Sequence, residues 1–152
     1  AKIEKKPNNK YISASVWIKF ESFSEENPLI YIKSNKTLSP KYFYMSIRES
    51  DEAYHEFLIG ILDKNGQWGR YYFGNIEKLE VNKWYHIVAV IDTVTGNIKS
   101  YLNNSLIVNF TIDKGEIPGT AEELWIGASP ENKYLNGTID EVRIYNSSYR
   151  YE

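Results

Sequence analysis

The stretch YISASVWIKF, residues Tyr11–Phe20, decides the fold. Its apolar side chains Ile12, Ala14, Val16, Ile18 and Phe20 recur at every second position, with serine, tryptophan and lysine among the residues between. Successive side chains of an extended chain point to opposite faces, so this spacing predicts a strand with one apolar face. The pattern returns along the whole chain. It predicts further strands at Leu29–Ile32, Tyr42–Arg48, Phe57–Leu62, Gln67–Phe73, Ile98–Leu102, Leu106–Ile112, Leu124–Gly127 and Thr138–Tyr145. Trp84–Asp92 is different, because Ile87 to Ile91 is an unbroken apolar run. That run predicts a strand covered on both faces or central in its sheet.

Turn chemistry separates these segments. Asn27-Pro28 reads as part of a polar loop, and Asn65-Gly66 as a hairpin turn. Thr95-Gly96-Asn97 and Asn103-Asn104 offer further tight turns, because Gly and Asn tolerate positive φ. About ten short strands with turns between them and no helical periodicity predict an all-β, two-sheet antiparallel β-sandwich. A length of 152 residues fits one domain over 1–152 that buries its own core, with 1–10 as an extension or an incomplete first strand. The 13 Tyr, 6 Phe and 4 Trp suit such sheets, whose cross-strand pairs take flat rings well.

Charge and composition exclude several functions. With a net charge of −2 and intermixed signs, the chain lacks the basic footprint of a nucleic-acid binder. No apolar run approaches the length of a spanning helix, so membrane insertion is not expected. The absence of cysteine removes disulfides, thiol catalysis and cysteine-ligated zinc. The N-terminus has neither a signal peptide nor an initiator Met, which suggests a piece of a longer protein. Five N-x-Ser/Thr sequons, at Asn35, Asn103, Asn109, Asn136 and Asn146, suit an extracellular or cell-surface glycoprotein. The same crowding follows if Asn, Ser and Thr simply gather in turns.

Three blocks carry more than generic sheet character. They are ISASVWIK (Ile12–Lys19), KWYHIVAVID (Lys83–Asp92), and LWIG (Leu124–Gly127) continuing to LNGTIDEVRIYN (Leu135–Asn146). In order and spacing they resemble the laminin G-like jelly rolls of the concanavalin A-like lectin/glucanase superfamily. The resemblance runs from about Tyr11 to Asn146, and its last block is the most specific part. It implies two packed sheets, one of them concave, in secreted or surface proteins that bind glycans or protein partners in recognition and adhesion. Relatives usually open with one further strand and an acidic loop, and here only about ten Lys- and Asn-rich residues stand in that place. An unpaired sheet edge there would be a template for self-association.

Candidate sites follow from face parity. In Tyr42–Arg48, residues Tyr42, Tyr44, Ser46 and Arg48 share one face; in Gln67–Phe73, Trp68, Arg70 and Tyr72 do. If both strands lie in the concave sheet, Trp68, Arg70, Tyr72, Tyr42, Tyr44 and Arg48 form an aromatic and guanidinium-lined trough. Rings stack on the C–H faces of sugars while guanidinium and hydroxyl groups bond their oxygens, which suits a glycan. The same side chains would equally cover a core or a neighbouring domain.

Catalysis has weaker support. Glucanases of the superfamily carry alternate carboxylates on one strand, and Glu49 and Asp51 have that parity. Ala53 and Tyr54 occupy the positions where a third carboxylate belongs, so a solvated acidic loop is the expected structure. Neither His55 nor His86 has the neighbours of a nucleophilic triad. The resemblance also points to a structural calcium near Asp140, yet calcium takes six to eight oxygens and Asp140 supplies few. The reading is a non-catalytic extracellular binding or adhesion module for a glycan or surface protein. Its rivals are a structural subunit of a surface layer or filament and, more remotely, a glucanase-type hydrolase.

Overall fold

The computed structural model describes residues 11–34, 41–50, 53–62, 68–92, 94–111 and 123–145, with backbone alone at 34, 41, 62 and 68–75. Twelve strands occur in chain order. They are β1 (Tyr11–Phe20), β2 (Glu26–Ser34), β3 (Lys41–Glu49), β4 (Tyr54–Leu62), β5 (Trp68–Glu77), β6 (Trp84–Asp92), β7 (Asn97–Leu102), β8 (Ser105–Thr111), β9 (Glu123–Ile126), β10 (Ala128–Ser129), β11 (Lys133–Tyr134) and β12 (Gly137–Tyr145). No helix occurs among the described residues. The strands form two five-stranded antiparallel sheets, β12-β1-β6-β7-β8 and β5-β4-β3-β2-β9, with β10 and β11 as a small separate ribbon. This is the β-sandwich that the alternation predicts.

One apolar cluster joins the sheets. Ile12, Ala14, Val16, Ile18 and Phe20 are each at most 2% exposed, and they meet Phe43, Met45, Ile47, Phe57, Ile59 and Ile61 of the other sheet. The apolar run of β6 has the predicted setting, since β6 lies in the middle of its sheet between β1 and β7. Ile87, Ala89 and Ile91 enter the shared core, and Val88 is buried on the opposite face.

Turns obey the expected residue chemistry where they are described. Asn103 and Asn104 adopt φ of 48° and 70°, and Gly96 adopts 75°. The Asn65-Gly66 hairpin and the first ten residues lie outside the described residues. Two features depart from the sequence reading. Asn27 and Pro28 belong to β2 rather than to a loop, because a bulge between Pro28 and Ile30 accommodates the residue that lacks an N–H. The Asn27 side chain is fully buried and donates to the carbonyls of Ser24 (2.9 Å) and Ile47 (3.0 Å). The β10–β11 ribbon was not expected, since two-residue strands carry no periodicity. Lys133 of β11 ties it to β2 by an ion pair with Glu26.

The last strand is set tightly against the first. Phe20 pairs with Gly137, and a Cβ on that glycine would stand 2.3 Å from the Lys19 carbonyl oxygen. Farther along, the pairing slips. Ser15 faces Arg143 and Trp17 faces Asp140, so Glu141 and Val142 oppose the single residue Val16. Glu141 takes φ of 46°, a left-handed value uncommon for glutamate.

Candidate functional site

Each sheet presents one face away from the core, and the two faces differ. On β5-β4-β3-β2-β9 the register builds rows across the strands. Trp125 stands opposite Tyr31, Tyr31 opposite Tyr44, Tyr44 opposite Gly60, and Gly60 opposite Arg70. The next rows hold Lys33 with Tyr42, and Ser46 with Leu58 and Tyr72. Leu62 pairs with Trp68. Positions 68, 70 and 72 therefore share a sheet with Tyr42, Tyr44 and Arg48, two strands away. The trough positions are brought into one sheet, and only the backbone is described at 68, 70 and 72.

The flank of this face is aromatic. The Tyr31 ring lies 6.1 Å from both Tyr42 and Tyr44, at 47° and 66°. Lys33 Nζ sits 5.6 Å over the Tyr42 ring, and Trp125 Nε1 donates to the Glu123 carboxylate at 2.7 Å. Tyr31, Tyr42 and Trp125 are part-exposed, whereas Tyr44 is only 2% exposed and Ser46 and Leu58 are closed off entirely. Among the described side chains, the exposed rings thus lie on the β9-β2-β3 side, with Tyr44 as their floor. Burial, with the Tyr42 hydroxyl and the Glu123 and Glu131 carboxylates nearby, pushes the Tyr31 phenol well above its ordinary pKa. It is neutral at all physiological pH and can serve as a hydrogen-bond donor. Arg48 lies at the far end, 3.8 Å from Glu25.

The opposite face, on β12-β1-β6, carries a cleft of about 230 Å3. Ser13, Ser15 and Val88 form its floor, with Trp17 and His86 on one side and Glu141, Arg143 and Tyr145 on the other. Small residues in the middle of three strands let a neighbouring group come down onto the sheet. The Trp17 and His86 rings stack at 4.9 Å and 25°. Burial holds the His86 pKa below its ordinary value, against an Asn104 hydrogen bond and the Glu141 carboxylate, which raise it. The imidazole is therefore neutral at pH 7. Beyond Trp17 the surface continues to Trp84, Asp140 and Glu141, and Lys19 Nζ rests 5.3 Å from the Trp84 ring centre.

Other expected groups are placed as follows. Asp140 Oδ1 accepts the Glu141 N–H at 2.8 Å. No group of three or more His, Cys, Asp or Glu fit to hold a metal occurs among the described residues. Glu49 pairs with His55, and Asp51 is outside the described residues. His55 is fully buried, with its Nδ1 accepting the Leu79 N–H at 2.9 Å, so the lone pair a base would use is already engaged. Of the sequons, Asn103 accepts the His86 N–H (2.9 Å), Asn109 accepts from Asn97 (2.9 Å), and Asn136 donates to Ser22 Oγ (2.8 Å). Asn35 and Asn146 lie outside the described residues.

Sequence reasoning missed Tyr31 and Trp125 on one face and the whole cleft on the other. Parity alone could have found Trp17, Ser15 and Ser13, which alternate with the core positions of β1. It could also have joined Glu141, Arg143 and Tyr145, which alternate with Val142 and Ile144 packed against the core.

A laminin G-type family model described as the concanavalin A-like lectin/glucanases superfamily matches residues 2–150. No curated protein sequence matches the chain. Among solved structures, a carbohydrate-binding module of the Ruminococcus gnavus IT-sialidase, bound to α2,3-sialyllactose, superposes with a TM-score of 0.71 at 11% identity, covering 95% of this chain and 80% of that one. The native heptameric SAP-like pentraxin of Limulus polyphemus gives 0.68 at 16% identity, over 93% and 66%. Domain 4 of an extracellular arabinanase from Geobacillus stearothermophilus, in complex with arabinotriose, gives 0.65 at 20% identity, over 91% and 61%. The chain thus spans less than two thirds of the last two.

Proposed function

Because the chain belongs to the concanavalin A-like lectin/glucanases superfamily, we propose that it is a non-catalytic, extracellular carbohydrate-recognition module that binds a glycan on the outer face of β5-β4-β3-β2-β9. The observation that carries this is the aromatic row in which Trp125, Tyr31 and Tyr44 stand in register, with Tyr42 beside them. Tyr31, Tyr42 and Trp125 offer part-exposed ring faces for sugar C–H groups, and the neutral Tyr31 hydroxyl supplies a donor. Tyr44 backs the row from below. The further residues proposed to contribute are Trp68, Arg70 and Tyr72, whose backbone lies in the same sheet, and Arg48 at its far end.

The sialyllactose and arabinotriose complexes of similar folds support a saccharide over other ligands. The engaged Nδ1 of His55 supports a binding role over an acid–base one. A glycan array that includes sialylated and arabinan oligosaccharides tests the proposal. Binding to at least one class is expected, with loss in both Trp125→Ala and Trp68→Ala while the circular dichroism spectrum stays that of a β-protein. Binding that survives both substitutions would falsify this face as the site.

A second reading, self-assembly, is favoured by one observation. Leu124 and Ile126 of the edge strand β9 are 48% and 45% exposed although they pair with the core residues Ile32 and Ile30. Sedimentation across a concentration series separates the two, since a chain that stays monomeric at every concentration rules out assembly.

A further inference from the structure

The geometry points to a second saccharide site, on the opposite side of the sandwich: the cleft between β1, β6 and β12, shaped for a single neutral pyranose ring. Its size comes first. At about 230 Å3 it falls below the roughly 300–1,000 Å3 of sites for larger organic ligands, so one ring-sized group fills it.

Its chemistry is that of a polyol site. The stacked Trp17 and His86 rings make a flat wall, and Trp17 remains 37% exposed at its edge. Facing them are one guanidinium and one carboxylate, Arg143 and Glu141, two residues apart on β12. Neither forms an ion pair with a described residue, although both line the same cleft. A carboxylate that accepts and a guanidinium that donates, side by side, match two neighbouring hydroxyls, each of which can do both. Their charges cancel and His86 is neutral, so the lining carries no net charge to attract an ionic ligand. A neutral sugar gains from both groups; a carboxylate ligand would face Glu141 and an ammonium would face Arg143.

The backbone supports a built site. Glu141 shares the outward parity of Arg143 and Tyr145, and at the bulge opposite Val16 it lines the cleft from a left-handed conformation that glutamate seldom takes. The strain thus goes with the placement of one carboxylate in the cleft.

This site shares no residue with the aromatic row, so a molecule that holds both would bridge two glycan chains. The test is an NMR titration of the intact chain with methyl glycosides of neutral hexoses, and with a methyl uronate and glucosamine for comparison. The Trp17 indole signal is expected to shift and saturate with at least one neutral glycoside. Arg143→Ala and Glu141→Gln are each expected to weaken that binding on the order of tenfold, the loss of one charged hydrogen bond. Trp125→Ala, on the other face, is expected to leave it unchanged. No saturable Trp17 shift with any neutral glycoside overturns the inference, as does a shift produced by the uronate or the amine alone. A shift lost in Trp125→Ala but kept in Glu141→Gln also overturns it, while leaving the proposed function standing.

Discussion

The two outward faces of the sandwich are built from the same alternation, yet they reach different ends. On β5-β4-β3-β2-β9 the outward residues are mixed in size, yet the described centre of the face is closed: Tyr44, Ser46 and Leu58 are at most 2% exposed. Of its described rings, Trp125, Tyr31 and Tyr42 on the β9-β2-β3 side meet solvent. On β12-β1-β6 the corresponding central residues are Ser13, Ser15 and Val88, and small side chains there leave a walled hollow. Small side chains at the middle strands leave a hollow where taller neighbours wall it, as Trp17, His86 and Arg143 do on β12-β1-β6. Parity says which residues face out; volume says what shape they make.

The comparison can be broken most severely at what the faces share. Phe57→Ala removes a fully buried ring from the common core and is expected to cost about 3–5 kcal/mol, lowering the unfolding midpoint and ligand binding on both faces together. Gly137→Ala is more selective. Its Cβ would collide with the Lys19 backbone, so β12 has to move away from β1 at a cost of about 1–3 kcal/mol. Saturable Trp17 shifts should vanish in this variant while glycan-array binding through Trp125 persists. Loss of both would mean that the faces are not independent.

An effect of pH comes next. Burial holds the His55 pKa below its ordinary value, with Lys78 adding to the shift and Glu49 opposing it. The folded state therefore prefers the neutral ring, and the unfolded chain takes up a proton first as pH falls. Stability contributed by this residue is complete above the unfolded pKa of about 6.5 and declines as pH drops below it toward the lower folded value. Denaturant titrations from pH 8 to 5 should show this decline, and His55→Gln should flatten it. The smallest expected effect sharpens the aromatic flank. Trp125→Phe keeps a ring but loses the bond to Glu123, and a change in stability of about 0.5–1.5 kcal/mol should come with only a modest loss of glycan affinity.

Much of the architecture was legible in the residues. Ile12 to Phe20 and Tyr42 to Arg48 state their buried faces by alternation, and the apolar run in β6 states its central place. Pro28 was misread because a local rule about proline gave way to a bulge that long-range pairing with β3 stabilises. The candidate sites were legible in part. Tyr42, Tyr44 and the residue types at 68, 70 and 72 could be assigned to one face from parity. Tyr31 and Trp125 could not be joined to them, because β9 pairs with β2 across a separation of about ninety residues that no local pattern encodes. The bulge beside Glu141 was hidden for a related reason, since only the register with the partner strand reveals it.

The pairing of Ser13 with Tyr145 has a kinetic consequence. Within this domain β1 finds its two neighbours far along the sequence, so during synthesis it waits with both of its hydrogen-bonding edges open until β6 and then β12 emerge. Closure over such a span makes for slow, late-completing folding of the domain, with an adhesive strand exposed in the meantime. In this view Lys19 and the serines of β1 also serve the half-made domain, by keeping one side of that waiting strand wetted and charged.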